Sequence, residues 1–169
     1  MKKLLFQFDT DHYPSVFDTV VAYDGGADHV IGHAKLNPDN VRALVEGAIF
    51  TRPPKEKKNT AIFVGGSDMA AGQALLNAIQ SYFFAGFQVS VMLDSNGSNT
   101  TAAAAVAKLA SSGSLNGKKA VILAGTGPVG QRAAVMLAEE GADVSIVSRH
   151  IESAEIACLS MKERFNVDL

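Results

Sequence analysis

Tryptophan is absent from this sequence, cysteine occurs once, and neither sign of charge dominates. The single Cys158 excludes an intrachain disulfide and agrees with a reducing compartment. It falls on a predicted helix, where its simplest role is that of a small buried hydrophobe. Lys and Arg number 15 against 17 Asp and Glu, and the net charge of -2 offers no basic face to hold nucleic acid or an anionic membrane. No apolar run approaches the roughly 20 residues of a membrane-spanning helix. The opening MKKLLFQFDTDHYP is broken at Gln7 and Asp9, too early for the apolar stretch of a signal peptide. The cytoplasm is therefore the expected location, with neither nucleic acid nor membrane as a partner. His12, His29, His33 and His150 are scattered without metal-ligand spacing, so no metal site is expected.

What is present is the composition of an ordinary globular protein, 47% hydrophobic and 19% charged. A chain of 169 residues holds one large domain or two small ones. Short β-rich runs alternate with longer helical ones. Strand-like runs occupy 3–9, 29–34, 60–66, 87–94, 119–125 and 143–149, and a last one, NVDL, opens at Asn166. Helical periodicity covers 15–23, 40–50, 69–84, 100–111, 130–140 and 152–165. This alternation implies βαβ units and a mainly parallel sheet, so the class is α/β. The small polar stretch SSGSLNGKK, 111–119, marks the expected boundary between an N-terminal α/β domain, 1–112, and a second one, 118–169. The one basic cluster, RPPKEKK at 52–58, reads as a solvated loop, with a loop over an anionic ligand tail as the functional alternative.

The second domain opens on a strand followed by Gly125-Thr126-Gly127-Pro128-Val129-Gly130 and a helix. This is the glycine spacing of a dinucleotide-binding turn in its proper context. The first glycine permits the turn, the second lets backbone approach a pyrophosphate, and the third lets helix and strand pack closely. The following strand ends at Ser148 and Arg149, where an NAD site usually carries a carboxylate for the ribose hydroxyl. A hydroxyl and a guanidinium suit a 2′-phosphate, which favours NADP over NAD. The unit is Rossmann-like, and it is expected to be truncated, since the chain ends inside what would be its third strand.

Polar loops follow two strands of the first domain. The stretch 94–101 contains Asp94, Asn96, Ser98, Asn99, Thr100 and Thr101, and 65–68 contains Gly65, Gly66 and Asp68. Ligands of open α/β sheets bind outside the carboxyl ends of strands, so these residues are the candidate substrate contacts, with helix capping as the plainer reading of the same polar turn. Asp9 and Asp11 follow the first strand and either touch substrate or serve as caps and solvated loop ends.

The blocks LLFQFDTD, VFDTVVAYDGGADH, TAIFVGGSDMAAG, MLDSNGSNTTAAAA and GKKAVILAGTGPVG together resemble the bacterial NADP-dependent methylene-tetrahydromethanopterin dehydrogenases, some of which also use methylene-tetrahydrofolate. The resemblance implies an N-terminal α/β domain, a cleft, a C-terminal Rossmann domain for NADP, and a homo-oligomer. It implies cofactor contacts at Gly125, Thr126, Gly127, Pro128, Val129, Gly130, Ser148 and Arg149, and a tetrahydropterin one-carbon carrier as substrate. Hydride transfer from a methylene bridge between two nitrogens needs no side chain to remove a proton, so no catalytic residue is assigned. Two alternatives remain open, a shikimate dehydrogenase-like NADP enzyme and a shortened, non-catalytic binding or assembly module.

Overall fold

A computed structural model describes residues 1–169. The chain divides into two compact units, Met1–Asn96 and Gly97–Leu169. The first contains β1 (Leu4–Asp9), α1 (Val16–Asp24), β2 (His29–His33), α2 (Arg42–Phe50), β3 (Thr60–Gly65), α3 (Met69–Ser81) and β4 (Ser90–Leu93). Its four strands pair in parallel in the order β2-β1-β3-β4. In the register of this sheet Phe6 stands between Ile31 and Ile62.

Alternation along β1 sends Phe8 to one face and Gln7 to the other. Phe8, Ile62 and Val64 form the core with Val45 and Ile49 of α2 and Leu75 and Ile79 of α3. Each such side chain contributes about 1.5–3 kcal/mol by leaving water. On the opposite face buried Gln7 accepts a hydrogen bond from Thr19 Oγ1 at 2.7 Å and donates to Ser15 O at 3.0 Å, which seats α1 on the sheet through polar contacts. Helix α1 has no buried residue.

β4 begins at Ser90 rather than at the expected Phe87, because Phe84 and Phe87 close a tight turn on each other's backbone. The basic stretch 52–58 is not a solvated loop throughout. Pro54–Asn59 forms a 3-10 turn whose Lys57 is only 6% exposed, with its ammonium 3.8 Å from the Phe87 ring centroid and donating to Gly86 O at 3.2 Å. This turn leads directly into the start of β3. It thus lies at the amino ends of the strands, the wrong edge of the sheet for a loop over a ligand in the strand-end loops.

The second unit contains α4 (Ser98–Ala110), β5 (Lys119–Ile122), α5 (Pro128–Glu139), β6 (Asp143–Ile146) and α6 (Ile151–Phe165). β5 and β6 pair in parallel. Val106 of α4 joins Ala134, Val135, Leu137, Val144, Ala157, Met161 and Val167 in its core. The division therefore falls at Asn96 and Gly97 rather than within 111–119. The polar stretch 111–119 is a turn inside this unit, tied to it by the Gly117 N–H on Gly141 O at 2.8 Å. NVDL forms no strand. Asn166 ends α6 in the left-handed conformation (φ 56°), Val167 folds into the core, and Asp168 pairs with Lys162 at 2.5 Å. No helix is long and apolar enough to cross a membrane.

Candidate functional site

In the first unit β2 follows β1 on one side, whereas β3 returns to pair on the other side of β1. The strand order thus reverses between β1 and β3, and the carboxyl ends at such a reversal are where open α/β sheets place their ligands. The residues there are Asp9, Thr10 and Asp11 after β1, and Gly65, Gly66 and Ser67 after β3. The loop after β4 joins them, since the Asp94 N–H donates to Val64 O at 2.9 Å and the Asn96 N–H to Gly66 O at 2.8 Å. Gly66 has φ +112°, and a Cβ on it would collide with Thr10 Oγ1. The two strand-end loops approach each other too closely for any other residue.

Most of the carboxylates at this edge are spent on the backbone. Asp9, 1% exposed, accepts the Asp11 N–H at 2.9 Å and the Ser15 N–H at 3.1 Å. Asp11 accepts Ser67 N–H at 3.0 Å and Ser67 Oγ at 2.9 Å, which fastens the β1 loop to the β3 loop. Asp68 caps α3 through Ala70 and Ala71 N–H at 2.7 and 3.0 Å. Asp9 and Asp11 are therefore structural in the first place, and Asp68 carries a cap as well as facing this edge.

Asp18, which the sequence did not single out, is the exception. Burial holds its carboxyl above the ordinary carboxylate value; the Asp9 and Asp94 carboxylates add to the rise, and a hydrogen bond with Ser15 opposes it. A Cβ placed on Gly65 would lie 3.4 Å from both the Asp18 and the Asp9 Oδ2 atoms, so the two carboxylates converge on that glycine. In the sequence Ser15 and Asp18 read as a capping pair, and the Asp18 N–H does donate to Ser15 Oγ at 3.2 Å. That local role hides the second one. No group of three or more His, Cys, Asp or Glu side chains is placed to hold a metal ion.

The second unit carries the glycine turn. A Cβ on Gly125 would stand 2.5 Å from Ile146 Cβ, and one on Gly130 would stand 2.8 Å from Gly125 Cα. Both positions are closed by the protein's own packing. Gly127 differs, because a Cβ there would meet only Ala124 O at an ordinary 3.4 Å. The space over Gly127 is left clear, as the approach of phosphates requires. Helix α5 starts there with no side-chain cap and with Pro128 in its first turn, so its leading N–H groups can receive an anion. The carbonyl of Thr126 is held by Gln131 Nε2 at 2.7 Å. Backbone bonds from Gly125 N–H to Val147 O (3.0 Å) and from Val147 N–H to Ile122 O (2.9 Å) carry the ladder past β6. They set half-buried Ser148 and exposed Arg149 beside the turn. The arrangement leaves room and free N–H groups for an anion at the head of α5.

The candidate cofactor residues are thus brought together within one unit. The candidate substrate residues are divided: Gly65, Gly66, Asp68, Asp94 and Asn96 belong to the first unit, and Ser98, Asn99, Thr100 and Thr101 to the first turn of α4 in the second. Ser98 is fully buried, whereas Thr100 and Thr101 are exposed. Arg132, 9% exposed, donates from Nε to Ser98 Oγ at 3.3 Å. An arginine inside an amphipathic helix gave no sequence signal of this contact.

Residues 16–96 match the family described as methylene-tetrahydromethanopterin dehydrogenase, N-terminal. The chain is 60% identical over 170 residues to the bifunctional protein MdtA of Methylorubrum extorquens, an alignment covering 99% of this chain and 59% of that protein. It is 34% identical over 163 residues to the NAD(P)-dependent methylenetetrahydromethanopterin dehydrogenase of the same organism, covering 92% of this chain and 54% of that one. The chain spans somewhat over half the length of these curated relatives.

Proposed function

We propose, from the match of residues 16–96 to the methylene-tetrahydromethanopterin dehydrogenase N-terminal family, that this chain belongs to an oxidoreductase of one-carbon metabolism. It transfers a hydride from methylene-tetrahydromethanopterin, or methylene-tetrahydrofolate, to NADP. The observation that carries the reading is the glycine turn, in which Gly125 and Gly130 are closed by packing while Gly127 alone is left clear for a ligand. The match to the NAD(P)-dependent methylenetetrahydromethanopterin dehydrogenase over 92% of the chain supports the substrate class.

In this reading residues 118–169 open a Rossmann domain. The N–H groups at the head of α5 bind the pyrophosphate, and Ser148 and Arg149 bind the 2′-phosphate. NADP, when bound, supplies the hydride acceptor. In the first unit the polar residues at the strand ends, Gly65, Gly66, Asp68, Asp94 and Asn96, orient the tetrahydropterin; in the second, Asn99, Thr100 and Thr101 on the first turn of α4 are the candidate contacts, with buried Ser98 behind them. Their contribution is alignment of donor and acceptor, which suffices where the cation left behind is stabilised by its own two nitrogens. The protein acts in the cytoplasm as a homo-oligomer.

The test is reduction of NADP by the full-length protein with each of the two methylene pterins. Reduction with at least one is expected, and none with shikimate. Binding of NADP without reduction by either pterin would remove the dehydrogenase reading and leave a binding module.

A further inference from the structure

Only two basic side chains are buried, Lys57 and Arg132. Lys57 has a local explanation, since it pins the turn at Gly86 and lies under Phe87. Arg132 reaches from its own helix to another. It stands one turn beyond Pro128, so its stem leaves α5 directly behind the glycine turn. Its Nε–H reaches Ser98 Oγ at 3.3 Å, and Ser98 is the first residue of α4. Taking a guanidinium out of water costs several kcal/mol, and a methionine of similar length would fill the same space without that cost. The position therefore requires the polar contact rather than the volume.

The partner end of this contact is the polar turn already described. Asn96 (φ 56°) and Gly97 (φ 62°) are both left-handed, which reverses the chain immediately before Ser98. Gly97, as the residue preceding the helix, has no side chain with which to cap it. Ser98 is fully buried while Thr100 and Thr101 are exposed. A fixed Ser98 thus determines where those two hydroxyls project.

We propose that Arg132 is a positioning residue that links the two ligand sites: by holding Ser98 it sets the first turn of α4 against the helix whose head carries the glycine turn. The identity of the ligands rests on the dehydrogenase reading; the mechanical link does not. Cofactor contact at the head of α5 and substrate contact at Thr100 and Thr101 then share one rigid connection.

The test uses the full-length protein with Arg132→Lys, which keeps the charge but not the Nε–H, and with Ser98→Ala, alone and combined. Each single change is expected to raise the KM for the methylene pterin about tenfold, with no further rise in the double variant. The dissociation constant for NADP measured without pterin should stay within about twofold. Amides 98–101 should exchange faster in Arg132→Lys. An unchanged KM, effects that multiply in the double variant, or an equal loss of NADP affinity would each overturn the link. Should the wild-type protein fail to reduce NADP with any pterin, the dehydrogenase reading falls by itself. Exchange at 98–101 then decides the link, and unchanged exchange in Arg132→Lys refutes it.

Discussion

The two units use the same strand-helix-strand element and bury it to different depths. The first sets four parallel strands over α2 and α3 and fills the space with Phe8, Ile49, Ile62, Leu75 and Ile79, all at most 1% exposed. The second has two strands and a core of Ala134, Ala157, Val106, Val135, Val144, Leu137 and Met161. It leaves Val121, Leu123, Ile156 and Leu159 each more than 60% exposed, as the first unit leaves Tyr13, Val16 and Phe17. Large interlocking side chains make the first unit resistant to local change. In the second the glycines themselves let backbones approach each other, with Gly130 against Gly125 and the space over Gly127 clear. The first unit is thus built around side chains and the second around backbone.

The sharpest way to break this contrast is to remove one large side chain from the first unit. Phe8→Ala is expected to destabilise it by about 3–5 kcal/mol. All three tyrosines, Tyr13, Tyr23 and Tyr82, lie in that unit and there is no tryptophan, so tyrosine emission in a urea titration follows it specifically. An unchanged midpoint would show that the site at the β1 and β3 ends does not depend on this core.

The backbone side of the comparison is tested by two alanines that differ only in position. Gly130→Ala places a methyl against Gly125 Cα, with no flexible side chain to give way, and should cost about 1–3 kcal/mol. Faster amide exchange in β5 and β6 is the readout. Gly127→Ala should leave that exchange unaltered yet weaken NADP binding about tenfold, equivalent to ~1.4 kcal/mol. If both variants behaved alike, Gly127 would have no role beyond the turn itself.

A smaller effect is expected at Arg149. Arg149→Gln removes an exposed charge and, on the proposed reading, should weaken NADP about fivefold to tenfold while sparing NAD. Equal loss of both cofactors in a binding titration would mean that Arg149 does not read the 2′-phosphate.

The smallest effect sits in the first unit. The carboxyl of Asp18 is raised above its unfolded value of 3.8, first by burial and then by Asp9 and Asp94. The folded state therefore holds this proton more tightly than the unfolded state. Its stabilising contribution is complete below pH 3.8 and is lost as pH rises through the higher folded value. Asp18→Asn should remove that loss and stabilise the fold at neutral pH by a fraction of a kcal/mol, the group being only partly buried. A urea midpoint that falls at pH 7 would show that the ionised form is the one the fold requires.

Much of this was legible from local pattern. The strand and helix runs appear within a few residues of their expected ends, because period-2 and period-3.6 alternation is a property of neighbours along the chain. The glycine turn was legible for the same reason, since six consecutive residues hold all its geometry. The exceptions involve distant partners. Lys57 is buried by a phenylalanine thirty positions later, and Val167, past the left-handed Asn166, enters the core of the second unit. Asp9, Asp11 and Asp68 looked alike as strand-end carboxylates, and only their hydrogen bonds separate loop tie from helix cap.

Neighbouring residues were enough to set the α/β class, the order of elements along the chain and the glycine turn, all of which depend on residues close in the chain. Only the tertiary structure decided the strand order β2-β1-β3-β4, and with it the reversal that gathers Asp9, Gly65 and Asp94 at one edge. It also decided that α4 packs with α5 in the second unit, so that Arg132 meets Ser98. Those choices depend on which buried faces match across dozens of residues, and that is a property of packing, which no local pattern encodes.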